Sequence, residues 1–417
     1  MSFSITEPND KWKKFSILVL LISLWINVLG NEAGQTDSIP IQPSPRTVHS
    51  FSVNAGVDYL PPSMAEEMLG EVASDKKIKV NSAVPLNLRY GFSINDPAIP
   101  YYLPGGYQGI GVGVYNMGAA EPHGFQRARH NIGYPVLAYI FQGGPFHHFN
   151  SRLSLDYEWN FGVAFGWKPY SEANKYFNQI VGSKINAYLN VGMNLLWHIT
   201  DQTGIFGGVA LSHFSNGNTS FPNPGVNALG IKVGMVWTLN PPANGFKPLI
   251  PDTVKKRKID YDIMAWGASR RRVYRGNEKP VLLPGHFACA GISFSPMYRF
   301  NRWMKIGGSL DLQWDQSSDM KKNYIGGTTT DDIKFSTPSF WRQTTVGISV
   351  HGELRMPIFA VNVGCGYNII APWENKGFYQ NLSLKTYLYE GWFINIGYQL
   401  RNFHQQSSLM LGAGITI

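Results

Sequence analysis

The chain has few charged residues and, beyond its N-terminus, no long apolar run. Charged residues make up 15% of the 417 positions, which is low for a soluble protein, yet the mean hydropathy is −0.15. That mean excludes a protein that crosses a membrane several times with apolar helices. Strands in which apolar and polar residues alternate average to such a value, so a membrane β-barrel stays open.

Cysteine is nearly absent, since Cys289 and Cys365 are the only two. The alternation around each of them predicts side chains on opposite faces of their strands, so we expect no disulfide between them. Two thiols alone make no metal site, and we expect no cofactor. The formal net charge is +9, but no nucleic-acid motif accompanies it. This basic balance favours contact with phosphorylated lipid over nucleic acid.

The N-terminus has the pattern of a secretory signal peptide. Lys11, Lys13 and Lys14 precede an apolar run over residues 15–29, which is too short to span a membrane comfortably. Gly30 supplies a small residue at the cleavage position. We predict that residues 1–30 are removed, with an uncleaved anchor as the alternative. No cysteine follows the run, which excludes a lipoprotein.

From residue 107 onward, apolar residues alternate with polar residues and glycines. This pattern is typical of strands with one face toward lipid and the other toward a wet interior. It predicts an all-β fold, one antiparallel transmembrane β-barrel of about 14 strands over 107–417, with 12 or 16 strands as alternatives. The segments are 107–116, 134–142, 153–166, 185–199, 205–216, 226–239, 260–273, 285–294, 302–314, 342–355, 358–368, 380–389, 392–400 and 409–417.

The residues before this region are less regular. Residues 31–52 are rich in Ser, Pro, Gln and Asn, and the pattern from 53 to 106 is mixed. We therefore assign 31–106 to a linker and a periplasmic or plug-like segment mostly outside the barrel wall. An extra strand is the alternative, because residues 86–95 have the pattern of a possible strand. The connection 240–259 also departs from the pattern, because it is long where the other turns on its side are short.

One predicted hairpin, residues 205–239, carries polar residues on its apolar face. By strand parity, His213 and Ser215 share the face of Leu211, and Asn227 lies on the apolar face of the next strand. A polar group that faces lipid is costly unless something pairs with it or uses it. A general base beside a hydroxyl nucleophile is one such use.

The hairpin resembles the PagL-type lipid A 3-O-deacylases, also called the acyloxyacyl hydrolase family. Six of its residues fall in register with the family pattern without a gap: His213, Ser215, Asn216, Pro222, Asn223 and Gly225. A looser likeness covers about 107–240. Residues 260–417 exceed the small barrel of the family, so the chain resembles its larger members, found in Bacteroidota-type bacteria.

The resemblance implies a carboxylic ester hydrolase of the bacterial outer membrane. Its substrate would be the lipid A of lipopolysaccharide, from which an ester-linked acyl chain is removed. Ser215 would be the nucleophile and His213 the general base. Asn216, Gly217 and Asn223 would hold the oxyanion or the substrate.

The sequence departs from the family pattern at Asn227, where the family has Glu. No Asp or Glu occurs between His213 and Asp252 to replace it. An Asn carbonyl can orient an imidazole, but it gives no charge to support the imidazolium. We therefore expect either weaker catalysis than with the family acid or support of the imidazolium by another residue.

Two alternatives stay open at this point. The protein could be a non-catalytic outer-membrane barrel for transport or surface binding that retains the motif. Arg270, Arg271 and Arg272, at a predicted strand end, could clamp the phosphates of lipopolysaccharide, although a basic loop is common on barrels.

Overall fold

The computed structural model describes residues 46–61, 82–95, 105–117, 132–171, 180–241, 259–274, 281–300, 303–356, 358–388, 391–402 and 405–417. Antiparallel strands dominate these ranges, with short 3-10 helices at Met320–Asn323, Phe340–Gln343 and Trp373–Asn375. No helix within them is long and apolar enough to cross a membrane. The predicted signal peptide, 1–30, lies outside the described residues.

Eight strands form a first closed barrel, each hydrogen-bonded to the next along the chain. They are β1 (Arg46–Tyr59), β2 (Ser82–Asn95), β3 (Tyr107–Asn116), β4 (Gly133–His148), β5 (Leu153–Trp167), β6 (Ile185–His198), β7 (Thr203–Ser215) and β8 (Val226–Thr238). The last strand pairs back onto the first, antiparallel, in a register that joins Tyr59 to Leu229. This pairing leaves no free edge.

Another eight strands form a second closed barrel. They are β9 (Ile259–Arg270), β12 (Phe287–Arg299), β13 (Met304–Asp315), β16 (Thr344–Arg355), β17 (Phe359–Ile370), β18 (Gly377–Tyr387), β19 (Trp392–Arg401) and β20 (Gln405–Thr416). Here β20 pairs with β9. Two small sheets lie in its long connections: β10 (Val273–Tyr274) with β11 (Val281–Leu282), and β14 (Tyr324–Gly326) with β15 (Lys334–Phe335).

The all-β antiparallel prediction is confirmed, but the prediction of one barrel of about fourteen strands is wrong. Within the described ranges the wall strands number sixteen, shared equally between two barrels. Alternation reports only whether a side chain points inward or outward. It is the same in one wide barrel and in two narrow ones. The long connection at 240–259 joins the two barrels.

The assignment of 31–106 mostly outside the wall is also wrong for the residues that the structure describes there, because β1 and β2 are wall strands of the first barrel. The alternative strand at 86–95 is part of β2. Phe51 and Val53 point outward and are about half exposed, whereas Ser52 between them is buried. In β2, Leu88 is outward and Arg89 is buried. The alternation was present in the sequence, but prolines and irregular segments around it concealed it.

Buried ion pairs fill the two lumens. In the first barrel, Glu158 accepts from Arg89 at 2.6 Å and from Lys232 at 2.8 Å. In the second, Lys385 lies 2.7 Å from a carboxylate oxygen of both Asp262 and Glu353. Eight strands leave an interior just wide enough for such side chains.

Apolar side chains cover the outside of both barrels. On β8, Ile231 and Val233 are 66% and 68% exposed, as expected for strands that face lipid. The prediction that the two cysteines face opposite sides of their strands is confirmed as well. Both thiols are free, with Cys289 buried and Cys365 exposed on the outer wall.

Candidate active site

The β7–β8 hairpin presents the predicted polar residues on the outer wall of the first barrel. Phe214 fixes this orientation, because it is only 2% exposed and points inward. Its ring stacks on Tyr188 at 5.2 Å between centroids and meets Tyr115 and Trp167 edge-on, each at 5.3 Å. Since successive side chains of a strand alternate, the residues on either side of Phe214 must point outward.

His213 and Asn227 are direct cross-strand partners between β7 and β8. Their side chains approach to 2.7 Å, from the imidazole Nδ1 to the amide Oδ1. An oxygen at this position accepts a hydrogen bond, so Nδ1 carries the proton and Nε2 keeps a free lone pair. The imidazole therefore has the tautomer that a general base needs.

Gly225 lets the loop between β7 and β8 pass directly over that imidazole. Its φ is +79°, in the left-handed region that favours glycine. A Cβ atom here would lie 2.8 Å from Cε1 of His213. A side chain at this position would displace the ring.

Ser215 ends β7 and is only 6% exposed. Its Oγ accepts a hydrogen bond from the amide of Gly217 at 3.2 Å and one from Nδ2 of Asn223 at 3.1 Å. Two donors therefore converge on the hydroxyl oxygen. The structure describes both Ser215 and His213 and places no hydrogen bond between these two side chains.

Asn216 shapes the turn that carries these donors. Its backbone amide donates to Oδ1 of Asn223 at 3.2 Å, and its side-chain Nδ2 donates to the carbonyl of Ser220 at 3.0 Å. The side chain of Asn216 is therefore engaged in the loop, whereas Gly217 and Asn223 supply the donors that reach Ser215.

Two sequence families match this chain. The family described as lipid A 3-O-deacylase (PagL) matches residues 105–236, which contain β3–β8 and the site. The acyloxyacyl hydrolase C-terminal domain matches residues 259–417, the second barrel from its first strand to its last. The chain belongs to the PagL-type lipid A deacylase family. It is thus a protein of the bacterial outer membrane, in a family of carboxylic ester hydrolases.

Solved structures give only distant likenesses to this PagL-type chain. The FrpB iron transporter from Neisseria meningitidis (F3-3 variant) is 8% identical, with 89% of this chain and 81% of that chain covered and a TM-score of 0.21. An outer membrane channel from Pseudomonas putida F1 is 10% identical, with 92% and 100% covered and a TM-score of 0.21. Such scores support no argument about function. No protein with a curated description matches the chain.

The three arginines predicted to bind lipid phosphate have different surroundings. The prediction that Arg270 binds phosphate is wrong. Its side chain is 3% exposed and points into the lumen of the second barrel, where it pairs with Asp315. Strand parity explains this, since Arg270 continues the inward face of β9. Arg271 and Arg272 follow the strand and are half-buried. The backbone amide of Arg271 donates to the carbonyl of Asn218, in the turn that follows Ser215, at 2.9 Å.

The structure also reveals a second Ser, His and Asn set, which sequence reasoning missed. Ser349 Oγ lies 2.8 Å from Nε2 of His351, whose Nδ1 lies 2.7 Å from Oδ1 of Asn362. All three are less than one-tenth exposed, and Ser349 donates to Asp311 at 2.7 Å. These residues line the closed interior of the second barrel, away from lipid. We therefore assign them to the structural polar network.

Within the described ranges, no group of three His, Cys, Asp or Glu side chains is arranged to hold a metal ion. The hairpin itself presents a hydroxyl, an imidazole and amide donors.

Proposed function

We propose that this protein is an esterase that removes an ester-linked acyl chain from lipid A in the outer leaflet. One observation carries the proposal. The His213–Asn227 pair, in which the imidazole Nδ1 faces the amide oxygen, stands two residues from a serine whose oxygen already receives two hydrogen bonds. This set lies on the apolar outer wall, where an acyl chain in the membrane can reach it.

The reaction begins when Oγ of Ser215 attacks the ester carbonyl carbon. As the Oγ–C bond forms, the hydroxyl proton passes to Nε2 of His213. The carbonyl oxygen becomes an oxyanion, which the amide of Gly217 and Nδ2 of Asn223 stabilise. For this step Nε2 must come within hydrogen-bond reach of Oγ, a contact that often tightens only when substrate binds.

The tetrahedral intermediate then collapses. The bond between the carbonyl carbon and the sugar oxygen breaks, and the sugar oxygen takes the proton from His213. Water next attacks the acyl group on Ser215, again with His213 as base, and releases a fatty acid. Asn227 orients the imidazole throughout but adds no negative charge, so the imidazolium is less stabilised than with the family Glu.

The filled lumens weigh against the alternative of a transport barrel. Ion pairs cross the middle of each interior, and cavities there have volumes of only about 20 Å³ and 30 Å³, the size of one water molecule. A wider pocket of about 120 Å³ lies in the first barrel, at the end with the short turns and away from Ser215.

Arg271 and Arg272 remain proposed ligands of the lipid A phosphates. Both lie at the barrel end where the loop of the hairpin lies. The backbone amide of Arg271 donates a hydrogen bond to Asn218 in that loop. A guanidinium there can donate to phosphate oxygens in two parallel hydrogen bonds.

The test is the acyl composition of lipid A in outer membranes that contain the wild type, Ser215→Ala or Ser220→Ala. Mass spectrometry should find lipid A with one acyl chain fewer for the wild type and for Ser220→Ala, a control in the same loop. Ser215→Ala should leave lipid A intact while the protein still folds. Deacylation by Ser215→Ala would place the active site elsewhere. Intact lipid A in all three would favour the non-catalytic alternative.

A further inference from the structure

We propose that the second barrel forms one wall of the active site, and that the Tyr398 hydroxyl donates a hydrogen bond to the ester carbonyl of the substrate. This inference rests on the function proposed above. It assigns a substrate-contacting role to a barrel that lies outside the segment with the nucleophile and base.

The first observation is the position of the Tyr398 hydroxyl. Tyr398 is on β19, and its side chain points out of the second barrel, toward Ser215 of the first. Among the described residues this hydroxyl is buried and makes no regular hydrogen bond. It faces the Ser215 side chain without the geometry of a regular hydrogen bond. A substrate oxygen bound beside Ser215 would offer it a well-aligned acceptor.

A second observation is the packing of the active-site turn against the second barrel. A Cβ atom at Gly217 would lie 3.4 Å from Cβ of Leu409 and 3.6 Å from Cε2 of Tyr398. Leu409 and Tyr398 are themselves cross-strand partners on β20 and β19. Because Gly217 supplies a donor to Ser215, this contact holds part of the oxyanion site in place.

The hydrogen bond from the backbone amide of Arg271 to the carbonyl of Asn218, at 2.9 Å, is a second anchor for the turn. The oxyanion turn of the first barrel is therefore held from two places on the second, the β19–β20 pair and the end of β9. Preorganisation of this kind lowers the reorganisation needed when charge develops on the substrate.

Exposure along the two outer walls shows where an acyl chain would lie. Ser215 is 6% exposed, whereas Leu211, four residues down β7, is 49% exposed. On the second barrel, Ile396 and Leu411 are 36% and 49% exposed. The walls thus shield the site at its loop end and leave apolar side chains free toward the membrane. An acyl chain that enters from the lipid would bring its ester to Ser215.

In the reaction, Tyr398 would act with Gly217 and Asn223. As Ser215 attacks, negative charge develops on the carbonyl oxygen within about 3 Å of the nucleophile and the surrounding donors. The phenol donates its hydrogen bond to that oxygen and keeps its proton, so the proton balance of the Ser215 and His213 steps is unchanged.

The experiment compares Tyr398→Phe with Tyr367→Phe. Tyr367 also lies on the outer wall of the second barrel, on β17, but away from the hairpin. Each change removes one hydroxyl and keeps the ring. Deacylation of purified lipid A in detergent is measured for both variants, together with the thermal unfolding midpoint.

We expect kcat/KM to fall about 10- to 100-fold in Tyr398→Phe and to stay at the wild-type value in Tyr367→Phe. The midpoint of Tyr398→Phe should not fall, since the hydroxyl has no regular hydrogen bond to lose. Wild-type activity in Tyr398→Phe would overturn the inference. So would a loss of activity that follows a lower unfolding midpoint.

A binding measurement separates this inference from the proposed function. Lipid A affinity is measured in Ser215→Ala, alone and combined with Tyr398→Phe, so that no turnover is needed. We expect Kd to rise about tenfold when the hydroxyl is removed, which corresponds to one hydrogen bond. Such a rise with an inactive wild type would retain the contact and reject the esterase. An unchanged Kd would reject the contact even if the wild type deacylates.

Discussion

His213 and Asn227 face each other across β7 and β8, with 2.7 Å between the imidazole Nδ1 and the amide Oδ1. The pair has the geometry of a base and its orienting group but lacks the negative charge of the family acid. A carboxylate at this position would both hold Nδ1–H and stabilise the imidazolium that forms when Ser215 attacks.

We therefore predict that Asn227→Glu raises kcat of lipid A deacylation by at least about tenfold, since removal of the acid from a serine protease costs about 10⁴. The rate is measured by the release of fatty acid from purified lipid A. Asn227→Gln is the matched control, because it has the length of Glu without the charge, and it should show no gain. Equal rates for the wild type and Asn227→Glu would mean that charge at this position does not limit the reaction.

Asn223 supplies a donor to Ser215 Oγ and an acceptor to the amide of Asn216. Asn223→Asp keeps the acceptor and loses the donor, so the turn keeps its internal bond while the oxyanion loses one partner. We predict that kcat falls about 10²- to 10³-fold, with little change in the unfolding midpoint. If kcat stays within a factor of two of the wild type, Asn223 is only a structural residue of the loop.

Gly225 lies against His213, so a side chain at this position has no room. Its left-handed φ would also strain any residue other than glycine. Gly225→Ala would place a methyl group 2.8 Å from Cε1 of the imidazole. We predict a loss of stability of about 1–2 kcal/mol from the backbone strain, together with a lower kcat because the ring is displaced. Urea unfolding and deacylation rates measure the two effects. A variant with unchanged kcat would show that the loop can move away without disturbing the base.

Phe214 anchors the hairpin from the inside, in contact with Tyr188, Tyr115 and Trp167. Phe214→Ala should lower the free energy of unfolding by about 3–5 kcal/mol, because the lost ring leaves a cavity. Leu211→Ala is the control on the same strand, since its side chain faces outward and is 49% exposed. Similar losses in the two variants during urea titration would contradict the inward anchoring of β7.

Arg270 and Arg271 are neighbours with different surroundings, the first buried and the second half-buried. Arg270→Ala leaves Asp315 buried without its partner, so we predict a loss of about 3–5 kcal/mol in the free energy of unfolding. Arg271→Ala should keep the fold and weaken the binding of phosphorylated lipid A relative to dephosphorylated lipid A. Titration with the two lipids, followed by thermal unfolding, checks both expectations. Equal affinities for the two lipids in the wild type would remove Arg271 from the phosphate site.

Much of the wall was predictable from alternation alone. The fourteen predicted segments all overlap wall strands, and Cys289 and Cys365 face the sides that parity predicts. The placement of His213 against Asn227 also follows from alternation, because a hairpin with a defined register pairs facing residues. The same alternation places Arg270 on the inward face of its strand, so its prediction as a phosphate ligand did not apply the rule.

Local residue pattern thus determined the strands, their inward and outward faces and the residues gathered on the β7–β8 hairpin. Those features depend on neighbours a few positions apart, where side-chain periodicity acts directly. Only the tertiary structure decided that β8 closes onto β1 and β20 onto β9, which makes two barrels instead of one. It also decided that Tyr398 of the second barrel lies beside Ser215 of the first. Both depend on contacts between segments that are far apart along the chain, and alternation within a strand carries no information about which distant strand it meets.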